Sequence, residues 1–166
     1  VSADVLRIKD FTWNVNANVS YNKNEITELY NGITEYVASD TGRMVAVGHP
    51  LGEFYLNRYA GVNPTNGDAL WYTKDGEITT EYNESDKVML GKTHEAPWQG
   101  GFGTTLSWQG FSLSAQFTWV ADRWMLNNDR VFQESNGLFS AYNQSKRMLY
   151  DRWKKPGDVT DIPRYG

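Results

Sequence analysis

From Phe11 to Asn22 apolar and polar residues alternate without exception. Phe11, Trp13, Val15, Ala17, Val19 and Tyr21 share one side, and Thr12, Asn14, Asn16, Asn18, Ser20 and Asn22 share the other. A period of two is the mark of a strand, because successive Cβ atoms of an extended backbone point to opposite faces. The alternation returns in Phe102, Thr104, Leu106 and Trp108 against Gly103, Thr105, Ser107 and Gln109. It returns again in Phe111, Leu113, Ala115, Phe117 and Trp119 against Ser112, Ser114, Gln116 and Thr118. Gln109-Gly110 joins these two runs, and glycine suits the positive φ of a tight hairpin turn. Val1–Leu6 also alternates and is joined to the Phe11 run by a turn at Ile8-Lys9-Asp10. The pattern predicts four strands in two hairpins, over about 1–8, 11–22, 102–108 and 111–121.

The stretches between and after the hairpins are polar and rich in turn signals. Residues 23–97 contain Asn31-Gly32, Asp40-Thr41-Gly42, Asn63-Pro64-Thr65-Asn66-Gly67 and Lys74-Asp75-Gly76, each a recognised way of reversing a chain. Short strands over Glu53–Val62, Ala69–Thr73 and Glu77–Thr80 fit between them. Residues 127–166 form a second long connection, in which Gln144–Trp153 suits a helical turn or two. One end of the sheet therefore carries turns of two or three residues, and the other a connection of about seventy. Outer-membrane barrels have that asymmetry, with short turns inside and long loops outside.

Composition changes the picture at two points. Between Trp98 and Ala121 there is no Asp, Glu, Lys or Arg, although charged residues make up 22% of the chain. Positions within a membrane penalise charge in this way. Aromatics, 14% of the residues, cluster at the ends of the strands. Phe11, Trp13 and Tyr21 bracket Val15, Ala17 and Val19, while Phe102, Trp108, Phe111, Phe117 and Trp119 bracket Leu106, Leu113 and Ala115. Aromatic girdles around an aliphatic band are a barrel feature. A twelve-residue strand at about 3.3 Å per residue, tilted by about 45°, spans on the order of 28 Å, the height of such a band. A soluble carbohydrate-binding β-sandwich alternates equally well; the charge gap and the girdles favour an arc of a transmembrane β-barrel. On that reading Phe11, Trp13, Val15, Ala17, Val19, Tyr21, Phe102, Leu106, Trp108, Phe111, Leu113, Ala115, Phe117 and Trp119 face the membrane.

Other classes find little support. A net charge of −4 offers no basic stripe for nucleic acid. There is no cysteine, hence no disulfide framework and no thiolate metal site. No run of 18 apolar residues suggests a membrane helix, and Val1-Ser2-Ala3-Asp4-Val5 does not resemble a signal peptide. The first residues read as the middle of a strand and the last as a loop, so the sequence reads as an excerpt. His49 and His94 stand apart and without the ligand spacing zinc requires. The carboxylates Asp68, Asp75, Glu77, Glu81, Glu84 and Asp86 fall in turn-rich sequence, unlike the rigidly spaced pair of a glycosidase. Asn63–Asp68 lacks the ligand spacing of a calcium loop. The reading is of a protein that is not an enzyme and needs no cofactor. Among loop aromatics, Trp71, Tyr72, Tyr82, Phe132 and Tyr142 are candidates for ligand or partner contact, as are Phe139 and Tyr150, although packing within the loops explains each one more simply.

Several words in the loops point further. Val47-Gly48-His49-Pro50-Leu51-Gly52-Glu53-Phe54-Tyr55, Tyr59-Ala60-Gly61-Val62-Asn63-Pro64-Thr65-Asn66-Gly67 and Ala69-Leu70-Trp71-Tyr72 occur in that order. Lys74-Asp75-Gly76, Ile78-Thr79, Leu90-Gly91-Lys92, the Gly100–Phe117 hairpin and Asn143-Gln144 follow, and the series ends on Arg152-Trp153-Lys154-Lys155-Pro156-Gly157-Asp158-Val159-Thr160-Asp161-Ile162-Pro163-Arg164. Together they resemble the SusC/RagA family of TonB-linked outer-membrane proteins of Bacteroidetes. The resemblance implies a large barrel with an internal plug, importing glycans or peptides with energy relayed by TonB. It also implies a SusD-like surface lipoprotein as partner, and location in the cell outer membrane. This chain would supply a later part of the barrel, without the plug or the TonB-contacting segment. Asn63 stands where the family has Asp, and Thr93-His94-Glu95-Ala96-Pro97 diverges from it, which leaves the cargo open.

Overall fold

The computed structural model describes residues 1–38, 42–139 and 141–165, so the predicted turn residues Asp40 and Thr41 lie outside the described residues. The strands in chain order are β1 (Ser2–Ile8), β2 (Phe11–Tyr21), β3 (Glu35–Ala38), β4 (Arg43–Ala46), β5 (Glu53–Leu56), β6 (Arg58–Val62), β7 (Ala69–Tyr72), β8 (Ile78–Thr79), β9 (Val88–Thr93), β10 (Trp98–Trp108) and β11 (Phe111–Ala121). Among the described residues α-helix is confined to α1 (Asn128–Gln133) and α2 (Lys146–Tyr150). The chain divides into two compact units. The first comprises Val1–Tyr36, Val45–Gly52 and Lys92–Trp124, and the second Val37–Met44, Glu53–Gly91 and Met125–Gly166.

The first unit is dominated by an antiparallel sheet in the order β1-β2-β10-β11. Its register aligns the alternation of every strand. Trp108 lies opposite Phe11 and Phe111, Leu106 opposite Trp13 and Leu113, Thr104 opposite Val15 and Ala115, and Phe102 opposite Ala17 and Phe117. Directly paired residues in a ladder project from the same face, so these rows form one continuous apolar surface. The paired rows Thr12–Ser107–Ser112 and Asn14–Thr105–Ser114 lie on the other face.

Strand β1 keeps large apolar residues on this surface up to the turn by breaking its own alternation. Asp4 pairs with Asn14, but Leu6 rather than Val5 is next, opposite Trp13, and Ile8 is opposite Phe11. The extra residue is a β-bulge. It returns Leu6 and Ile8 to the apolar side, which strict alternation from Ala3 would deny them. Two tight turns close the hairpins. Gln109 and Gly110 both have positive φ (46° and 85°), the type I′ geometry that matches strand twist. The Gln109 N–H donates to the Asp10 carbonyl across to the neighbouring turn, at 3.1 Å.

Strand β10 starts at Trp98, four residues before the alternation becomes legible in the sequence. The reason lies in its glycines. A Cβ on Gly100 would stand 2.8 Å from the Trp119 ring and collide with the Asn18 carbonyl, and one on Gly103 would meet the side chains of Gln116 and Asn16. Glycine here makes room for the side chains of both neighbouring strands, at the cost of hiding the period.

The second unit is built from shorter elements. Strands β6, β7 and β8 form a small antiparallel sheet, with Arg58 opposite Tyr72 and Tyr59 opposite Trp71. Arg43 of β4 is opposite Phe54 of β5. Met44, Phe54, Met148 and Ile162 supply its buried apolar side chains, and the buried Glu53 carboxylate accepts the Gly91 N–H at 2.6 Å. The predicted strand over 53–62 is divided at Asn57, whose side-chain amide donates to the Asn83 carbonyl. Helix α2 lies inside the predicted helical stretch, whereas α1, capped by the Asn127 side chain accepting the Arg130 N–H at 3.2 Å, is too short to show a helical period.

The packing of Trp119 over Gly100 leads to a first prediction. Gly100→Val in the full-length protein should destabilise the hairpin by about 1–3 kcal/mol, the range for overpacking a filled site. Thermal unfolding followed by the heat-dependent shift in gel mobility would measure it.

Candidate functional site

Two surfaces carry the functional information, and each belongs to one unit. The first is the apolar face of the four-stranded sheet. Its side chains remain open to the surroundings: Phe111 is 79% exposed, Leu113 67% and Val19 64%. Phe102, Phe117, Trp108 and Tyr21 are exposed as well. A contiguous patch of this kind is rare on a monomer in water and marks a surface that meets something apolar. Aromatic pairs mark part of its length. Tyr21 packs on Trp98 with centroids 4.5 Å apart, at the end away from the turns, and Phe102 stacks on Phe117 at 4.8 Å.

The face contains one hydroxyl in its central rows, and that hydroxyl is satisfied. The Trp13 indole N–H donates to Thr104 Oγ1 at 2.9 Å. An unpaired polar group is tolerable in water and costly in hydrocarbon, so this bond suits either setting but is demanded by only one. On the opposite face the polar side chains bond to one another along the rows. Thr105 and Ser114 are 2.7 Å apart, Ser107 and Ser112 2.8 Å, and the Gln116 amide donates to Asn16 Oδ1 at 3.3 Å. Asp4 and Arg7 bring the charge, at 3.7 Å from each other.

The second surface is a knot of loop segments in the second unit. The Trp153 indole covers Gly67 and donates through Nε1 to the Pro64 carbonyl at 3.1 Å. Gly157 N–H donates to the same carbonyl, and Arg164 N–H to that of Gly67, each at 2.8 Å. The Arg164 guanidinium completes the clamp on Asp68 at 2.9 Å. Gly67, at φ 78°, adopts a conformation and a closeness of approach that glycine alone fits. Nearby, Arg147 joins three acidic side chains, reaching Glu134 at 3.1 Å, Asp161 at 2.8 Å and Asp151 at 3.8 Å. Hydrogen bonds from Arg130, assisted by the charges of Arg130 and Arg147, hold the Glu134 carboxyl below its ordinary range. Burial and the nearby Asp161 push the Tyr59 phenol upward, and its hydroxyl donates to the Asp161 carbonyl at 3.1 Å.

The loop aromatics named from the sequence find one another. Trp71 lies edge-on between Tyr59 at 5.2 Å and Tyr82 at 5.1 Å, and Arg58 sits over the Tyr72 ring at 5.4 Å. Phe132 packs on Phe139 at 5.0 Å and on Tyr142 at 5.1 Å. Among the described residues Tyr150 has no ring partner. The carboxylates of 68–86 are likewise engaged locally: Asp86 accepts the Lys74 N–H at 3.0 Å and Glu84 pairs with Lys87 at 2.7 Å. His94 meets the Gly52 carbonyl at 3.3 Å. Among the described residues no group of His, Asp or Glu is placed to hold a metal ion. Trp153, Arg164, Arg147 and Glu134, which organise this unit, carried no local signal of that role, because their partners are far away in sequence.

No protein-family profile matches the chain. It is 26% identical over 149 residues to TonB-dependent receptor P39 of Formosa agariphila, covering 90% of this chain and 13% of the relative. Among solved structures it is similar to a chain of the RagAB peptide transporter, with TM-score 0.91 and 33% identity over 99% of this chain and 19% of that one. The RagAB peptide importer in its open-open and closed-closed states matches with TM-scores of 0.88 and 0.89, both at 34% identity over 99% of this chain. The chain thus spans about a fifth or less of the length of these relatives. It fits the open and the closed state about equally.

The charge network has a definite pH response. A carboxyl whose folded pKa is lowered stabilises the fold above its unfolded value, about 4.3 for Glu. That contribution is lost as the pH falls through the lowered native value. Tyr59, shifted upward, contributes below its ordinary value near 10 and loses that contribution as the pH rises through the shifted one. Amide protection in residues 145–162 should therefore be level between about pH 5 and 9 and fall on either side. Hydrogen exchange with mass spectrometry checks this, and Glu134→Gln should remove the acid limb.

Proposed function

The chain belongs to the TonB-dependent receptors, in their SusC/RagA-like branch, and from that premise we propose that its four-stranded sheet is an arc of the barrel wall of an outer-membrane nutrient importer. TonB-dependent receptors are outer-membrane proteins that transport rather than catalyse. The observation that carries the reading is the register: four strands place their apolar residues on one face in continuous rows. A face this apolar and this exposed is accounted for by acyl chains. The residues that meet lipid are then Phe11, Trp13, Val15, Ala17, Val19, Tyr21, Phe102, Leu106, Trp108, Phe111, Leu113, Ala115, Phe117 and Trp119.

The polar face, with its bonded rows of Ser, Thr, Asn and Gln, faces the barrel interior. Residues 23–97 and 127–166 are outer loops, held in shape by the Trp153 and Arg147 contacts. The complete protein imports its cargo with energy from TonB, in company with a SusD-like lipoprotein. The RagAB transporter takes peptides, and this brings peptides ahead of glycans as the cargo. Trp71, Tyr72 and Phe132 act chiefly by fixing loop shape, since each is already packed against a neighbour. Tyr82 and Tyr142 each keep an exposed side beyond their ring contacts and are the better candidates for touching cargo or partner.

Spin labels test the wall directly. In the full-length protein reconstituted in bilayers, nitroxides replacing Leu113 and Val19 should be accessible to oxygen and shielded from a water-soluble nickel chelate. A nitroxide replacing Ser114 should show the reverse. Equal chelate access at Leu113 and Ser114 would reject the barrel-wall reading. Cargo is tested separately, by uptake of labelled oligopeptides and oligosaccharides into cells carrying or lacking the gene.

A further inference from the structure

Just past the last paired row of the apolar face, at the end away from the short turns, the chain places two cations beside an aromatic ring. Tyr21, Trp98 and Ala121 form that last row. Beyond it the Trp124 N–H donates to the Thr93 carbonyl at 3.0 Å, which lays residues 122–124 alongside the end of β9. The Lys92 ammonium stands over the Trp124 ring, 4.4 Å from its centroid. Arg123 donates through Nε to the His94 carbonyl at 3.2 Å. Among the described residues neither cation forms an ion pair, and the one carboxylate at the ring, Asp122, accepts the Trp124 indole N–H at 3.2 Å.

This arrangement leaves binding capacity unused. Nε is one of five N–H donors on a guanidinium, so its anchoring to His94 fixes the fork and leaves the terminal nitrogens free. A fixed guanidinium fork suits phosphate oxygens. The ring under Lys92 holds the ammonium by cation–π attraction without neutralising it. Where a barrel's apolar band ends, the adjoining layer is that of the lipid headgroups, and an aromatic ring with a flexible cation is at home there.

We propose that Lys92, Arg123 and Trp124 form a site for the phosphate of an anionic outer-leaflet lipid, at the rim of the apolar face. The inference rests on the barrel-wall reading. It commits to lipid phosphate because the site adjoins the face assigned to acyl chains, and because two unpaired cations outnumber the one carboxylate, Asp122, that touches the ring.

The test uses the full-length protein in nanodiscs containing bisphosphorylated lipid A, its dephosphorylated form, or phosphatidylethanolamine alone. Thermal unfolding should be raised by the phosphorylated lipid specifically. Affinity for it should fall about fivefold for each cation removed, as expected for one basic residue at an anionic surface. Lys92→Gln with Arg123→Gln should abolish the difference between the two lipid A forms. Trp124→Leu removes both the ring under Lys92 and the indole partner of Asp122, and should lower the affinity by at least the Lys92 share. The proposal is overturned if the double variant responds like the parent protein, or if inorganic phosphate alone reproduces the effect. Nitroxide access at Leu113 in the same nanodiscs separates the two readings. A water-exposed Leu113 removes the wall itself, whereas a lipid-exposed Leu113 with no phosphate effect removes only this site.

Discussion

The four-stranded sheet depends on one register. Thr104 lies opposite Val15 on one side and Ala115 on the other, and every other pairing of β10 follows from it. A slip of one residue in β10 would turn Phe102, Leu106 and Trp108 to the polar face and bring Gly103, Thr105 and Ser107 among the apolar rows. The period of two makes such a slip an all-or-nothing event. Two devices hold the register in place. The type I′ turn at Gln109-Gly110 fixes β10 against β11, and the Trp119 indole fits over Gly100, a position where any larger residue collides. The bulge in β1 shows how strong the demand is, since that strand gives up a regular ladder to bring Leu6 and Ile8 onto the common face.

The loops obey a different rule. Their order comes from a few contacts between residues far apart in sequence rather than from periodicity. Pro64 and Gly67 meet Trp153, Gly157 and Arg164 across some ninety residues. Closing so long a loop costs entropy, which is offset here by several hydrogen bonds and a guanidinium–carboxylate pair at one locus. Aromatic rings that might serve a ligand are instead used on one another.

What could be read from the residues divides along the same line. The hairpins β1–β2 and β10–β11 were legible because alternation is local, and the turn at Gln109-Gly110 was legible because its chemistry is. The first residues of β10 were not, since Gly100, Gly101 and Gly103 carry no hydropathy signal. The bulge at Val5 was hidden as well, because it becomes visible only in the pairing with Asn14 and Trp13. In the loops, the turn residues showed where the chain reverses but not what it meets. Nothing local to Asp68 names Arg164 as its partner, and nothing local to Glu134 names Arg147. For that region resemblance to a family carried more than periodicity could.

The contrast between the two faces bears on which solvent each was made for. Were both faces wetted by water, the Thr104 hydroxyl would need no partner and the outward aromatics would gain nothing from forming rows. Trp13 nevertheless reaches across the strands to bond Thr104, and no charged residue occurs between Trp98 and Ala121 on either face. On the polar face the missing charge is matched by hydroxyls and amides that bond laterally to one another, which a wall lining a hydrated interior tolerates. On the apolar face the one hydroxyl of the central rows is already satisfied. Hydrogen bonds completed within the sheet and charge withheld from the apolar face are together what a hydrocarbon boundary imposes. A soluble sandwich with the same alternation would be under neither constraint.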